Sequence, residues 1–96
     1  MILVKEVQAR VAAKFDVSLE DLVGPRRHSH LIAARHVAMS LCAELCPHQS
    51  GVRIARLFGG RDHTTFLSAK KRLPDKLARY PELAAAYAEL KADLSE

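Results

Sequence analysis

Glycine and proline cut this chain into short pieces at Gly24-Pro25, Pro47, Gly59-Gly60, Pro74 and Pro81, and between the cuts apolar residues recur every three or four positions. A chain patterned this way buries its apolar side chains by packing several short amphipathic helices on one another. Leu3, Val7, Val11 and Phe15 predict a first helix that ends near Asp16. Ser18, with Asp21 three residues on, has the spacing of a capping box and opens a short helix through Leu22. A longer helix is expected from about Ser29 to Cys46, with Leu31, Ala34, Ala38, Leu41, Cys42 and Leu45 inward and Arg35 and His36 largely outside that stripe. After a turn at Gln49-Ser50-Gly51, the residues Val52, Ile54, Ala55, Leu57 and Phe58 form a short apolar helix that the glycine pair breaks.

The next helix starts at Asp62, a preferred N-cap residue, and turns Phe66, Ala69 and Leu73 inward until Pro74 ends it. Another helical turn is expected over 75–80. A last helix runs from Pro81 through Leu94, with Leu83, Ala84, Tyr87, Leu90 and Leu94 on one side. No segment alternates in the manner of a strand and none repeats, so the fold class is all-α. The domain reading is residues 1–80 as one helical unit, with 81–96 as a C-terminal helix packed on it or used for a partner.

Charge divides the chain more sharply than its net +4 suggests. From Arg26 to Arg79 there are eleven Lys and Arg against Glu44, Asp62 and Asp75, a balance of +8, whereas the two flanks together carry −4. A polyanion is drawn to the middle of such a chain. No apolar run approaches the roughly 20 residues that cross a bilayer, and Lys5 and Glu6 interrupt the apolar start, so a cytoplasmic protein is expected. Cys42, Cys46 and His48 could bring three metal ligands near one helix end. Cys42, however, lies on the apolar stripe, and reduced, buried thiols with no metal and no cofactor are the expectation. No nucleophile stands beside an identifiable base, and no enzyme is expected.

The run Phe58-Gly-Gly-Arg61-Asp62-His63-Thr64-Thr65 is where chemistry concentrates, because a tight turn hands over to a helix whose first turn carries short hydrogen-bonding side chains. Thr64, Thr65, Ser68, Lys71 and Arg72 then point away from the core. Two short helices meeting through a turn, the second starting polar and flanked by cations, suit a DNA major groove.

The first amphipathic helix, the segment VSLEDLVG, the pair Arg26-Arg27, the helix ARHVAMSLCAEL and the string GGRDHTT stand in an order that resembles the C-terminal DNA-binding domain of the bacterial replication initiator DnaA. The resemblance covers about Leu3 to Leu73. It implies a Trp-repressor-like helix-turn-helix over about Ser50 to Leu73 that binds double-stranded DNA at initiator boxes, regulates replication initiation and associates with the nucleoid. By that resemblance Asp62, His63, Thr64 and Thr65 contact bases in the major groove and Arg27 enters the minor groove. Arg35 and Arg61 help to hold the duplex. Arg26, Ser68, Lys71 and Arg72 are the further candidate backbone contacts, by charge and placement.

The chain departs from the family pattern at Ser50-Gly51, where Leu-Pro is usual and the turn is one residue longer, at His36, where glutamine is usual, and from His28 to Ala34, where the usual basic residues are mostly replaced. No GxxxxGK[ST] loop occurs in the 96 residues, so the expectation is a standalone reader of the boxes with no ATPase. The alternative is an adaptor that mimics this domain and engages the initiator or its regulatory proteins.

Overall fold

Three short side chains close three helix starts in the same way, and together they set the frame of the molecule. Ser18 Oγ accepts from the Asp21 N–H at 3.0 Å, Ser50 Oγ from the Arg53 N–H at 3.1 Å, and Asp62 Oδ1 from the Thr65 N–H at 3.0 Å. Each satisfies an amide that has no partner inside its helix, a contribution of about 1 kcal/mol. The computed structural model describes residues 1–95. These caps open α2 (Leu19–Val23), α4 (Gly51–Leu57) and α5 (His63–Arg79), which join α1 (Val4–Lys14), α3 (Ser29–Leu45) and α6 (Pro81–Ser95). The described residues contain no strand, and no helix is long and apolar enough to cross a membrane.

Helix α3 is the hub, packing against all five other helices. That is why its burial extends beyond one stripe: Val37, Met39 and Ser40 are inside along with Leu31, Ala34, Ala38, Leu41 and Cys42. Leu22 and Phe58 are fully buried, and each such side chain contributes roughly 1.5–3 kcal/mol through loss of water contact. Helix α6 lies across α1, α3 and α5, burying Leu83, Leu90 and Leu94. At its middle the Tyr87 hydroxyl donates to Glu44, which Lys91 also reaches at 2.8 Å.

The turn between α4 and α5 depends on two glycines with φ of 78° and 75°, a region that penalises any Cβ. At Gly59 a Cβ would also lie 2.0 Å from the Val23 carbonyl oxygen, so the end of α2 is pressed directly against this turn.

Three expectations are corrected. Helix α1 begins at Val4, and Leu3 takes the N-cap position outside the core. Arg35, expected largely outside the buried stripe, is only 5% exposed. Pro74 does not end α5, which continues to Arg79 and absorbs the separate turn expected over 75–80. The chain carries the helix through because Leu73 and Leu77, four residues apart, both pack on the core, while Pro74 sits between them on the exposed side. The continuation deprives the Lys70 carbonyl of its usual donor. Replacing Pro74 with alanine should therefore stabilise the domain by about 2 kcal/mol, the helix-interior penalty of proline less the entropy it removes from the unfolded chain. Urea unfolding monitored by circular dichroism checks this, and an unchanged or lower midpoint would contradict it.

Candidate nucleic-acid interface

Asp62 does two things at the start of α5. Its Oδ1 accepts from the Thr65 amide at 3.0 Å and from the Thr65 hydroxyl at 3.3 Å, which closes the helix and fixes the first turn. Asp62, His63, Thr64 and Thr65 are nevertheless all exposed. Phe66, one residue further, is buried and anchors this turn to the core. The His63 ring is stacked on the Phe66 ring, with centroids 6.0 Å apart and planes 15° from parallel.

Asp62, Thr64, Thr65, Ser68 and Arg72 border an open groove of about 630 Å³. Arg27, from the α2–α3 loop, and His36, from α3, border it from across the gap. The arrangement brings together most of the residues that the sequence marks as DNA contacts. Arg26, His63 and Lys71 are not among those bordering the groove. Arg26 lies on the loop with its Nε 3.9 Å from Asp21 Oδ1, Lys71 is exposed on α5, and His63 faces the start of α4.

Arg35 and Arg61 are first of all structural. Arg35 Nε donates to the Leu22 carbonyl at 2.8 Å, and its Nη2 donates to the carbonyls of Asp21 at 2.7 Å and Gly24 at 2.9 Å. Arg61 Nη2 donates to Gly24 at 2.7 Å, and its Nη1 donates to Val23 at 3.2 Å and to Phe58. Helix α2 has only five residues, and of the carbonyls of Asp21, Leu22, Val23 and Gly24 only that of Asp21 receives a backbone donor among the described residues, the Gly24 N–H, so the others need donors from elsewhere. Two guanidinium groups supply them, consistent with the negative end of the helix dipole. The picture of Arg35 as an outward-facing residue is corrected accordingly: its Nε and Nη2 are committed to the end of α2.

The same contacts tie the loop that carries Arg26 and Arg27 to the residue just before Asp62. The α2–α3 loop and the first turn of α5 are therefore held in a fixed relation.

The groove is strongly positive. Among the described residues Asp62 is the one acid bordering it, against Arg27, Arg35, Arg61, Arg72 and Lys76. Burial, and then the neighbouring guanidinium of Arg61, lowers the Arg35 pKa, and burial followed by Arg72 lowers that of Lys76. His36 is pushed down to about 4 by burial first and then by Lys76 and Arg72, so it is neutral at physiological pH. Its Nδ1 is buried without a hydrogen-bond partner.

His36 and Lys76 were missed as groove residues by sequence reasoning. Lys76 had a signal: it continues the polar series Thr65, Ser68, Arg72 at helical spacing, and the expected stop at Pro74 concealed it. His36 had only its place beside Arg35.

The depressed pKa of His36 predicts a pH effect with a definite sign. The unfolded chain takes up a proton near 6.5 and the folded chain only near 4, so stability is full above 6.5 and falls as pH drops between those values. Thermal unfolding from pH 7.5 to 4 should show that fall to be steeper in the wild type than in His36→Gln. Parallel curves for the two proteins would refute the assignment.

Cys42 and Cys46 are both buried, the Cys46 thiol donating to the Ile2 carbonyl at 3.2 Å. Burial, with Cys46 nearby, raises the Cys42 thiol far above its ordinary range. No three His, Cys, Asp or Glu side chains converge as a metal site among the described residues.

A family model described as the bacterial dnaA protein helix-turn-helix matches residues 4–73. The chain is 42% identical over 88 residues, 92% of its length, to the chromosomal replication initiator protein DnaA of Levilactobacillus brevis. It is 39% identical over 93 residues to that of Bartonella quintana and 37% identical over 81 residues to that of Cereibacter sphaeroides, covering 97% and 84% of its length. In these relatives the match spans only 18–19% of the protein.

Proposed function

The chain belongs to the bacterial DnaA helix-turn-helix family, and from that premise we propose that it binds double-stranded DNA at initiator boxes and thereby regulates the initiation of chromosomal replication. One observation carries the reading. Arg27 on its loop and the exposed first turn of α5 border the same cationic groove, held in register by the Arg35 and Arg61 contacts to α2.

In this reading the first turn of α5 enters the major groove. Asp62 retains an oxygen lone pair for a cytosine amino group, Thr64 and Thr65 offer hydroxyls and methyls to base edges, and His63 donates or accepts at its ring nitrogens. Arg27 has the reach for the narrow minor groove, where negative potential favours arginine. Ser68, Lys71, Arg72 and Arg26 meet phosphates, with Arg61 contributing charge from behind the turn. These contacts orient the domain and bring affinity without sequence information. Arg35 serves the duplex indirectly, by fixing the loop that presents Arg27. None of these contacts involves a nucleotide cofactor. Binding of this kind holds the protein at the nucleoid.

The test is fluorescence anisotropy on a box duplex and on a scrambled duplex of equal composition, at near-physiological salt. The box should bind tighter by on the order of 10³ or more. Equal affinities would sink the proposal.

A further inference from the structure

Gly51, the first residue of α4, carries no side chain where one would collide with two residues of the next helix. A Cβ there would lie 2.6 and 2.7 Å from Cε2 and Cδ2 of Phe66 and 2.9 Å from Nε2 of His63. The φ of Gly51 is not among the positive ones, so the backbone does not require glycine at this position. Alanine would be the better helix former there. The requirement is one of space.

Phe66 is 5% exposed and belongs to the core cluster, with Lys70 Nζ 5.5 Å from its ring centroid, so its ring has little freedom to move aside. His63 is exposed and stacked on that ring. Of the two neighbours of Gly51 the imidazole is the freer to swing away, but the Phe66 ring, met more closely, would have to shift as well, so a Cβ disturbs both halves of the stack. We propose that Gly51 is a specificity-determining positioning residue, its bare backbone forming the seat that holds the His63 imidazole against Phe66 and so aims it at the duplex.

The inference rests on the proposal that the first turn of α5 reads DNA. It goes further by assigning the aim of one reading side chain to the helix before it. A free imidazole at an exposed helix start samples several rotamers, and binding then costs the entropy of choosing one. The seat makes that choice beforehand.

The experiment has a DNA-free arm and a DNA-bound arm. In free protein, the ring protons of His63 should carry a ring-current shift from Phe66 in the NMR spectrum, and Gly51→Ala should abolish it while the remaining spectrum keeps the dispersion of a folded domain. In anisotropy, Gly51→Ala should lower the ratio of box to scrambled affinity about tenfold and leave scrambled binding unchanged. In a His63→Ala background the same change should lower the ratio no further.

Phe66→Leu, which removes the stacking ring and leaves Gly51 in place, should also lower the ratio. That variant keeps the test decisive even if Gly51→Ala fails to fold. A ring-current shift that survives Gly51→Ala, additive losses in the double variant, or a ratio unaffected by Phe66→Leu would each overturn the proposal. A wild type that binds both duplexes equally would overturn the DNA reading itself, and this inference with it.

Discussion

Replacing Arg35 with alanine is expected to destabilise the domain by about 3 kcal/mol, a fall in Tm of roughly 12–24 °C for a chain of this size. Three carbonyl oxygens, those of Asp21, Leu22 and Gly24, lose a charged donor at once. An acceptor left without a partner costs about 1–3 kcal/mol where water cannot replace the donor. Two of the three keep another donor, Gly24 from Arg61 and Asp21 from the Gly24 N–H at 3.3 Å, so only the Leu22 carbonyl loses its one partner, which holds the loss near the lower end. Arg35→Lys should recover little, because one ammonium cannot span three carbonyls that a planar fork reaches through two nitrogens.

Arg27→Ala is the matching control. It removes the same charge from an exposed loop and should change stability by no more than about 0.5 kcal/mol. Thermal unfolding of the three variants decides the matter. A loss below 1 kcal/mol in Arg35→Ala would mean that the carbonyls at the end of α2 do not depend on this arginine.

Arg35 also marks the boundary of what the sequence makes legible. A residue followed by apolar neighbours at helical spacing can be placed on or off a stripe, but Arg35 is buried because α2 arrives end-on. The direction in which a five-residue helix points is not encoded in local periodicity. Two helix starts were legible for the opposite reason: Ser18 and Asp62 act on amides three residues away, so spacing alone reveals them, whereas Ser50, which caps α4 in the same way, is expected from the sequence only as part of a turn. Pro74 misled because its penalty is local while the force that overrides it is not. Leu73 and Leu77 pack on residues distant in sequence, and their burial outweighs one missing hydrogen bond.

The polar first turn of α5 was readable from GGRDHTT. The groove it borders was not, since Arg27, His36 and Thr65 come together only once α3 is surrounded on all sides. Gly51 belongs with these: a glycine at the first position of a helix looks like a weak helix former until Phe66 and His63 are placed beside it.

Thr65 and Arg72 stand two turns apart along one groove and should fail in different ways. Thr65→Ala is the cleanest probe of base reading, because its amide still bonds Asp62 and the cap survives, whereas Asp62→Ala would mix lost contact with about 1 kcal/mol of lost capping. Box affinity should fall by roughly 10- to 100-fold, the cost of about 1–3 kcal/mol for a base contact, with scrambled binding unchanged. Thr65→Ser separates the two ends of the side chain. If the methyl packs on a thymine methyl, serine behaves like alanine; if the hydroxyl bonds a base edge, serine behaves like threonine.

Arg72→Ala should instead weaken box and scrambled duplexes by the same factor. It should also reduce the slope of log affinity against log salt by about 0.9, the release expected from one phosphate contact. Anisotropy titrations of each protein at several salt concentrations give both quantities together. A Thr65→Ala variant that weakens both duplexes equally, or an Arg72→Ala variant that weakens the box alone, would exchange the two assigned roles and remove the case for α5 as the helix that reads sequence.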